Sequence, residues 1–328
     1  MIPTKLKKGD KVRVIAPSSS LKSQKWITKE IQQVALERLE KLGLKVSFGK
    51  HINETNERGS SSIKSRVEDL HDAVEDPSIK MIIALVGGFN SNEILPYLDY
   101  GLIKTNPKIF CGYSDITALQ NAIYTKTGLV TYSGPCFFSF GQKKGFDYTL
   151  DYFKRCIFEK GKFEIKPSER WSSDYWGKDQ ENRAFVKNPG HYVINEGTAE
   201  GTVIGGNCVT FHALSGTPFI APLKDKILFL EDDYEENILN FNRTLVSLTQ
   251  NPDFPKVKGI VFGRFETKSK IGEKELRAVV NNNEALKKIP IVGGFDFGHT
   301  NPQITFPIGG KARLEAKNNK VKLEILEH

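Results

Sequence analysis

An α/β protein is what this sequence predicts: a parallel sheet with helices on both faces, then a smaller α/β unit with mixed strands. Three observations carry that expectation. Strand-like and helix-like segments alternate through the first half, the order that builds a parallel sheet covered on both sides. Three further apolar strands, "KILFLED", "VKGIVFGRF" and "PIVGGFDFGH", recur after residue 200 with helical stretches between them. The tail "ITFPIGGKARLEAKNNKVKLEILEH" alternates in the manner of antiparallel strands.

In chain order, "KVRVIAPSSS" (11–20) reads as a strand that runs into a serine-rich loop. "WITKEIQQVALERLEKLG" (26–43) has apolar residues at helical spacing and a closing glycine. "KVSFG" is the next strand, and "SSIKSRVEDLHDAVEDP" (61–77) the next helix. "KMIIALVGG" is a strand with a glycine turn, "SNEILPYLDYGLI" a broken helix, and "KIFCGY" a strand. "DITALQNAIYTKTG" is helical, and "LVTYSGP" is another strand. Sheets of this kind place ligand sites at the carboxyl ends of their strands, where both Val86–Gly88 and Ser114 fall. Residues 1–150 are therefore expected to form the first domain. Residues 151–200, polar and turn-rich around "PSERWSSDYWGKDQENRAFVKNPGHYVINEG", read as a linker with a long loop, the kind that often supplies function. Residues 201–328 form the second domain, with helices near 237–250 and 272–287.

Composition narrows the class. The 328 residues are 39% hydrophobic and 26% charged, ordinary for a globular protein with a real core. No apolar run approaches the ~18 residues of a membrane span. "MIPTKLKKGDKVRV" lacks the apolar core and cleavage site of a signal peptide, so a cytoplasmic location is expected. The four cysteines, at 111, 136, 156 and 208, match no zinc or redox spacing. The net charge is +8, but its lysines and arginines are scattered and form no basic, aromatic-interleaved stripe. A nucleic acid polymer is not the expected partner. The charge favours an anionic substrate instead.

Three stretches end an apolar strand on a reactive side chain: KIFCGY at Ser114, KILFL at Glu231 and IVGGFDFG at His299. Together they supply a nucleophile, an acid and a base. A serine hydroxyl needs a base to take its proton, and the base needs an acid to fix its tautomer. Each residue has a competing reading. Ser114 sits where a helix N-cap would, Glu231 opens an acidic loop, and His299 can cap a turn. Asp296 competes for the acid's role and Cys111 for the nucleophile's. The glycine pair in "VGGFNSN" leaves backbone N–H groups open to approach; with the amide of Asp115 they can cradle an oxyanion. There is no Walker loop, no GxGxxG and no HExxH, so neither nucleotide-dependent transfer nor metal hydrolysis is indicated.

"GYSDITAL", "GGFNSNEILPYLD", "IGGN…LSGTPF", "ILFLEDDYEE" and "GGFDFGHTNPQITFPIGGKARL" occur in that order. Together they resemble the LD-carboxypeptidase family of serine peptidases, from about residue 5 to about residue 320. The resemblance implies a Ser–Glu–His triad at Ser114, Glu231 and His299, with oxyanion donors at Gly88 and Asp115. It implies a flavodoxin-like N-terminal domain, a smaller C-terminal α/β domain, a homodimer, and no metal or cofactor. The long 169–196 stretch resembles the microcin-immunity branch more than the short-loop muropeptide branch. For that branch the substrate is a peptidyl- or aminoacyl-nucleotide, with Trp171 and Trp176 placed to stack on the base. A stacked base contributes roughly 1–3 kcal/mol. Asn90, Ser91 and Asn92 are then candidates to bond a carboxylate on the peptide side. A muropeptide LD-carboxypeptidase is the alternative within the class. A catalytically silent binding protein on the same fold is the alternative outside it.

Overall fold

The protein is described by a computed structural model covering residues 1–328. Five strands open the chain: β1 (Lys11–Ile15), β2 (Lys45–Phe48), β3 (Ile79–Ala84), β4 (Ile109–Gly112) and β5 (Thr131–Ser133). They pair in parallel in the order β2-β1-β3-β4-β5, which is flavodoxin-like, with the order reversing between β1 and β3. Helices α1 (Lys29–Lys41), α2 (Ile63–Glu75), α3 (Tyr100–Thr105) and α4 (Thr117–Thr127) make the crossovers. Thr28 and Ser62 start α1 and α2 by accepting hydrogen bonds from the amides of Ile31 and Ser65. Alternate residues of β3 and β4 feed two separate cores. Met81, Ile83, Ile109 and Cys111 pack on one face; Ile82, Ala84 and Phe110 pack on the other. Burial on both faces is why these strands read as unbroken apolar runs.

The chain continues through α5 (Asp147–Ile157), β6 (Phe163–Glu164), β7 (Arg170–Trp171), β8 (Val186–Lys187), β9 (Tyr192–Asn195) and β10 (Gly197–Asn207). After β10 come α6 (Cys208–His212), β11 (Lys226–Glu231), α7 (Ile238–Thr249), β12 (Gly259–Gly263), α8 (Glu273–Asn281) and β13 (Ile291–Phe295). β14 (Phe306–Ile308), β15 (Lys311–Lys317) and β16 (Lys320–Glu327) close it. The second sheet runs β6-β16-β15-β10-β11-β12-β13-β9, with β10 to β13 parallel and the flanking strands antiparallel.

Three details depart from the sequence reading. α5 runs across residue 150, and its Phe153, Cys156 and Ile157 are buried in the largest apolar cluster. The 169–196 stretch is not one loop: it holds the β7–β8 ribbon and β9, strands too short to show a period. β14 leaves the second half and pairs antiparallel with β5, giving the first sheet a sixth strand. The largest cluster draws Val12 and Ile83 from the first sheet, and Phe229 and Leu314 from the second. The two sheets therefore share a core.

α4 fixes the two sheets against each other. Asn121 donates to the Gly205 carbonyl at 2.8 Å and accepts from the Gly205 amide at 3.2 Å. One turn earlier, Thr117 accepts from the Asn207 amide at 3.0 Å. All three bonds are buried, so an apolar replacement leaves backbone groups of β10 unpaired, at about 1–3 kcal/mol each. Asn121→Leu is expected to lower the calorimetric Tm by several degrees and to lower kcat with it. An unchanged Tm would show that α4 and β10 are held by apolar contact alone.

Candidate active site

The carboxyl ends of the parallel strands in both sheets meet at one place. Ser114 follows β4 and starts a 3-10 turn, Ser114–Ile116, that leads into α4. Its φ is +63°, a left-handed conformation that costs a non-glycine residue roughly 1–2 kcal/mol and lifts the hydroxyl out of the turn. Glu231 ends β11 and is 2% exposed; His299 lies in the loop after β13. His299 Nε2 is 3.0 Å from Ser114 Oγ, and His299 Nδ1 is 2.8 Å from Glu231 Oε2. A carboxylate only accepts, so Nδ1 carries the proton donated to Glu231. In the neutral imidazole, Nε2 is then left to accept from the serine hydroxyl.

The β3–α3 loop forms the facing wall. A Cβ on Gly87 would lie 2.9 Å from Ser114 Cβ and 3.0 Å from its Oγ, so only glycine lets the loop come this close. Gly88 makes no hydrogen bond to other backbone, and its amide is free beside the Ser114 cavity. The Asp115 side chain ties this loop to the serine turn. Its Oδ2 accepts from the amides of Asn90 and Ser91 at 2.9 and 2.8 Å, and from the Ser18 hydroxyl at 2.6 Å. The Ser91 hydroxyl donates back to the Asp115 carbonyl at 2.6 Å. Ser18 comes from the loop after β1, so the β1/β3 reversal contributes as it does in other open parallel sheets.

The electrostatics follow from crowding. Burial alone would lower the His299 imidazole, but the Glu231 carboxylate, aided by Asp233 and Glu266, outweighs it and pushes the pKa up to about 9. Asp232, 2% exposed, is pushed up to about 8 by burial and then by the charge of Glu231, against a hydrogen bond from Asn207. Burial also raises Glu266, to about 7, where its Oε2 accepts from the Tyr234 amide at 2.9 Å.

Of the residues singled out in the sequence, Ser114, Glu231 and His299 come together, with Gly88 and Asp115 beside them. Asn92 lines the cavity, which holds about 170 Å³. Asn90 and Ser91 do not offer their side chains to it. Asn90 is engaged by Ser60 and Arg66, and Ser91 is buried against Asp115. Neither tryptophan lines this cavity. Trp176 packs edge-on against Trp26, with centroids 5.4 Å apart, because that apolar partner is at hand. Trp171 lies under the Arg264 guanidinium, 4.7 Å away, in a separate cavity with His191 and Tyr192. Asp296 is held by the Ser168 amide, Asn188 and Arg264, away from His299. Cys111 is packed inside β4, and burial drives its thiol well above the usual range. The expected anionic preference is not built into the cavity: its charged lining is acidic throughout. Sequence reading missed the Asp115 side chain and Ser18, and it read the Gly87–Gly88 pair for open amides rather than for the close approach of Gly87 to Ser114. The serine run at the end of "KVRVIAPSSS", beside a strand-order reversal, was the available signal.

A serine, a histidine and a glutamate lie in line at the junction of the two sheets, an arrangement able to carry acyl transfer. Models of the LD-carboxypeptidase N-terminal and C-terminal domains match residues 12–134 and 200–314, and the chain belongs to that family. It is 49% identical over its full length to YocD of Bacillus subtilis (strain 168), whose name places it among carboxypeptidases and all of which is covered. It is 35% identical to the Microcin C7 self-immunity protein MccF of Escherichia coli, over 88% of this chain and 86% of that one. It is 31% identical to a second Bacillus subtilis protein, named as a murein peptide carboxypeptidase, over 99% of this chain and 94% of that one. Among solved structures, an MccF-like protein from Bacillus anthracis superposes with a TM-score of 0.97 at 50% identity, with full coverage of both chains. MccF in complex with glutamyl sulfamoyl guanosine superposes with a TM-score of 0.88 at 32% identity, covering 99% of this chain and 98% of that one. No helix is long and apolar enough to cross a membrane.

Proposed function

We propose that this protein is a serine amidase that hydrolyses an amide or related acyl bond in a peptidyl- or aminoacyl-nucleotide. The observation that carries the reading is the unbroken line Ser114 Oγ–His299–Glu231, with contacts of 3.0 and 2.8 Å. His299 Nε2 takes the hydroxyl proton as Ser114 attacks the carbonyl carbon. Glu231 steadies the imidazolium that forms. The amides of Gly88 and Asp115 hold the oxyanion. The same proton then passes from His299 to the leaving nitrogen, and water releases the acyl group from Ser114 by the reverse steps. The nucleotide half of the reading rests on the likeness to MccF, whose complexes hold glutamyl sulfamoyl guanosine and aspartyl sulfamoyl adenosine. Detoxification of such compounds is the role it suggests.

A second substrate, a murein tetrapeptide, is favoured by one observation: no tryptophan lines the Ser114 cavity to stack on a base. Wild type and Ser114→Ala would be incubated with glutamyl sulfamoyl adenosine and, separately, with a murein tetrapeptide, and the products read by mass spectrometry. Cleavage of the nucleoside compound by wild type only is expected. Cleavage of the tetrapeptide alone moves the substrate to the wall-peptide class. Equal turnover by wild type and variant removes Ser114 from the reaction, and turnover of neither leaves a binding protein.

A further inference from the structure

His299 stands on a stretch of chain with no hydrogen-bond ladder of its own. No backbone group of Gly298, His299 or Thr300 bonds to other backbone. Glu231 and the Tyr113 ring, 5.4 Å away between centroids, orient the imidazole. The main chain that carries it is braced on either side by one element, the β7–β8 ribbon. After the histidine, Asn301 exchanges both backbone bonds with Ser172, at 2.7 and 2.8 Å. Before it, Asp296 grips the two roots of the ribbon, Ser168 at the entry and Asn188 at the exit. Asp296 is fully buried; its Oδ2 accepts from the Ser168 amide at 2.8 Å, and both its oxygens lie 3.2 Å from Asn188 Nδ2. Asn188 Nδ2 also donates to the Ser168 hydroxyl at 2.9 Å, and Asn188 Oδ1 accepts from Arg264 Nη2 at 2.6 Å. Arg264 closes the set, 3.5 Å from Asp296 Oδ1 and donating to the Gly294 carbonyl at 2.8 Å. The two strands of the ribbon contain no buried residue, so these polar contacts, rather than apolar burial of the strands, fix its roots.

We propose that Asp296 is a positioning residue for His299: by holding both roots of the ribbon, it ties the chain before the histidine to the element that pairs with Asn301 after it. The inference rests on the reading of His299 as the base. The Asp296 carboxyl does not reach the imidazole and acts through the main chain between them. With Asp296 or Asn188 cut away, the ribbon and the Gly298–Thr300 stretch lose their shared anchor. Drift of that stretch lengthens the contacts of His299 with Ser114 and with Glu231 together. A displacement of about 1 Å is enough to cost on the order of a hundredfold in rate.

The test uses Asp296→Asn and Asn188→Ala beside wild type, well below the Tm of each. Two quantities are measured: kcat and KM with whichever of glutamyl sulfamoyl adenosine and the murein tetrapeptide wild type cleaves, and the proton NMR signal of His299 Nδ1–H, assigned by its loss in His299→Ala. Both variants are expected to lower kcat by roughly ten- to a hundredfold, with KM within about twofold, and to shift or broaden that signal. Asn188→Ala removes no charge, so the same result there separates placement of the loop from a field effect of Asp296. It also decides the matter if Asp296→Asn does not fold. A lower Tm in both variants, with kcat per folded molecule and the Nδ1–H signal as in wild type, overturns the inference. So does an effect confined to Asp296→Asn when both variants fold. If His299→Ala turns over as fast as wild type, the reading of His299 as base fails. The NMR signal, which needs no turnover, then still reports whether Asp296 holds the loop.

Discussion

Glu231→Gln should lower kcat by about a thousand- to ten-thousandfold, because the amide no longer fixes the Nδ1–H tautomer or steadies the imidazolium. The variant also changes the pH profile. Attack requires neutral His299. The Glu231 charge holds that imidazole protonated up to about pH 9, against the burial that would lower it. In wild type, kcat/KM therefore rises with pH through the neutral and alkaline range. Removing the carboxylate takes away the largest raising influence and leaves burial opposed only by Asp233 and Glu266, so the acid limb of the residual activity moves to lower pH than in wild type. Slower turnover with an acid-shifted limb is the expected pair of results. A loss of rate with the limb unmoved would mean that Glu231 acts only by packing.

Asp115→Ala should be the second most damaging change, although its carboxyl is not placed at the reacting atoms. One oxygen gathers two amides and a hydroxyl from loops after β1 and β3. Deleting it leaves three donors unpaired in a buried place, each costing about 1–3 kcal/mol. It also frees the Gly87–Ser91 loop from the serine turn, so the proposed oxyanion amides of Gly88 and Asp115 lose their spacing. A donor displaced from an oxyanion is worth about a hundred- to a thousandfold in kcat. Asp115→Asn, which keeps an acceptor oxygen, should recover much of the stability and part of the rate. A structural role alone would lower Tm in Asp115→Ala while leaving kcat per folded molecule unchanged. The account requires kcat to fall with KM nearly constant.

Much of this was legible in the chain. Apolar runs such as "KMIIALV" and "KIFCGY" are continuous because β3 and β4 are buried on both faces, and that continuity marks the parallel sheet. Ser114, Glu231 and His299 were visible because each ends or follows such a run, and polar residues at the carboxyl ends of parallel strands meet in space. What was not legible depends on contacts across the two sheets. The pairing of β14 with β5, the lock between Asn121 and Gly205, and the packing of Trp176 on Trp26 join residues 84 to 177 positions apart. Local pattern carries no trace of such pairings. The acidic loop that Glu231 opens has the pattern of ordinary surface charge; only the fold sets Asp232, Asp233, Glu235 and Glu236 along the Ser114 cavity.

The central claim is that Ser114 becomes acylated, and it is tested most directly by quenching wild-type enzyme in acid during turnover and mapping the trapped adduct by mass spectrometry. The account predicts an acyl group on the peptide that contains Ser114, in wild type and absent from Ser114→Ala. An adduct on another residue, Cys111 included, or steady turnover by Ser114→Ala, would contradict it.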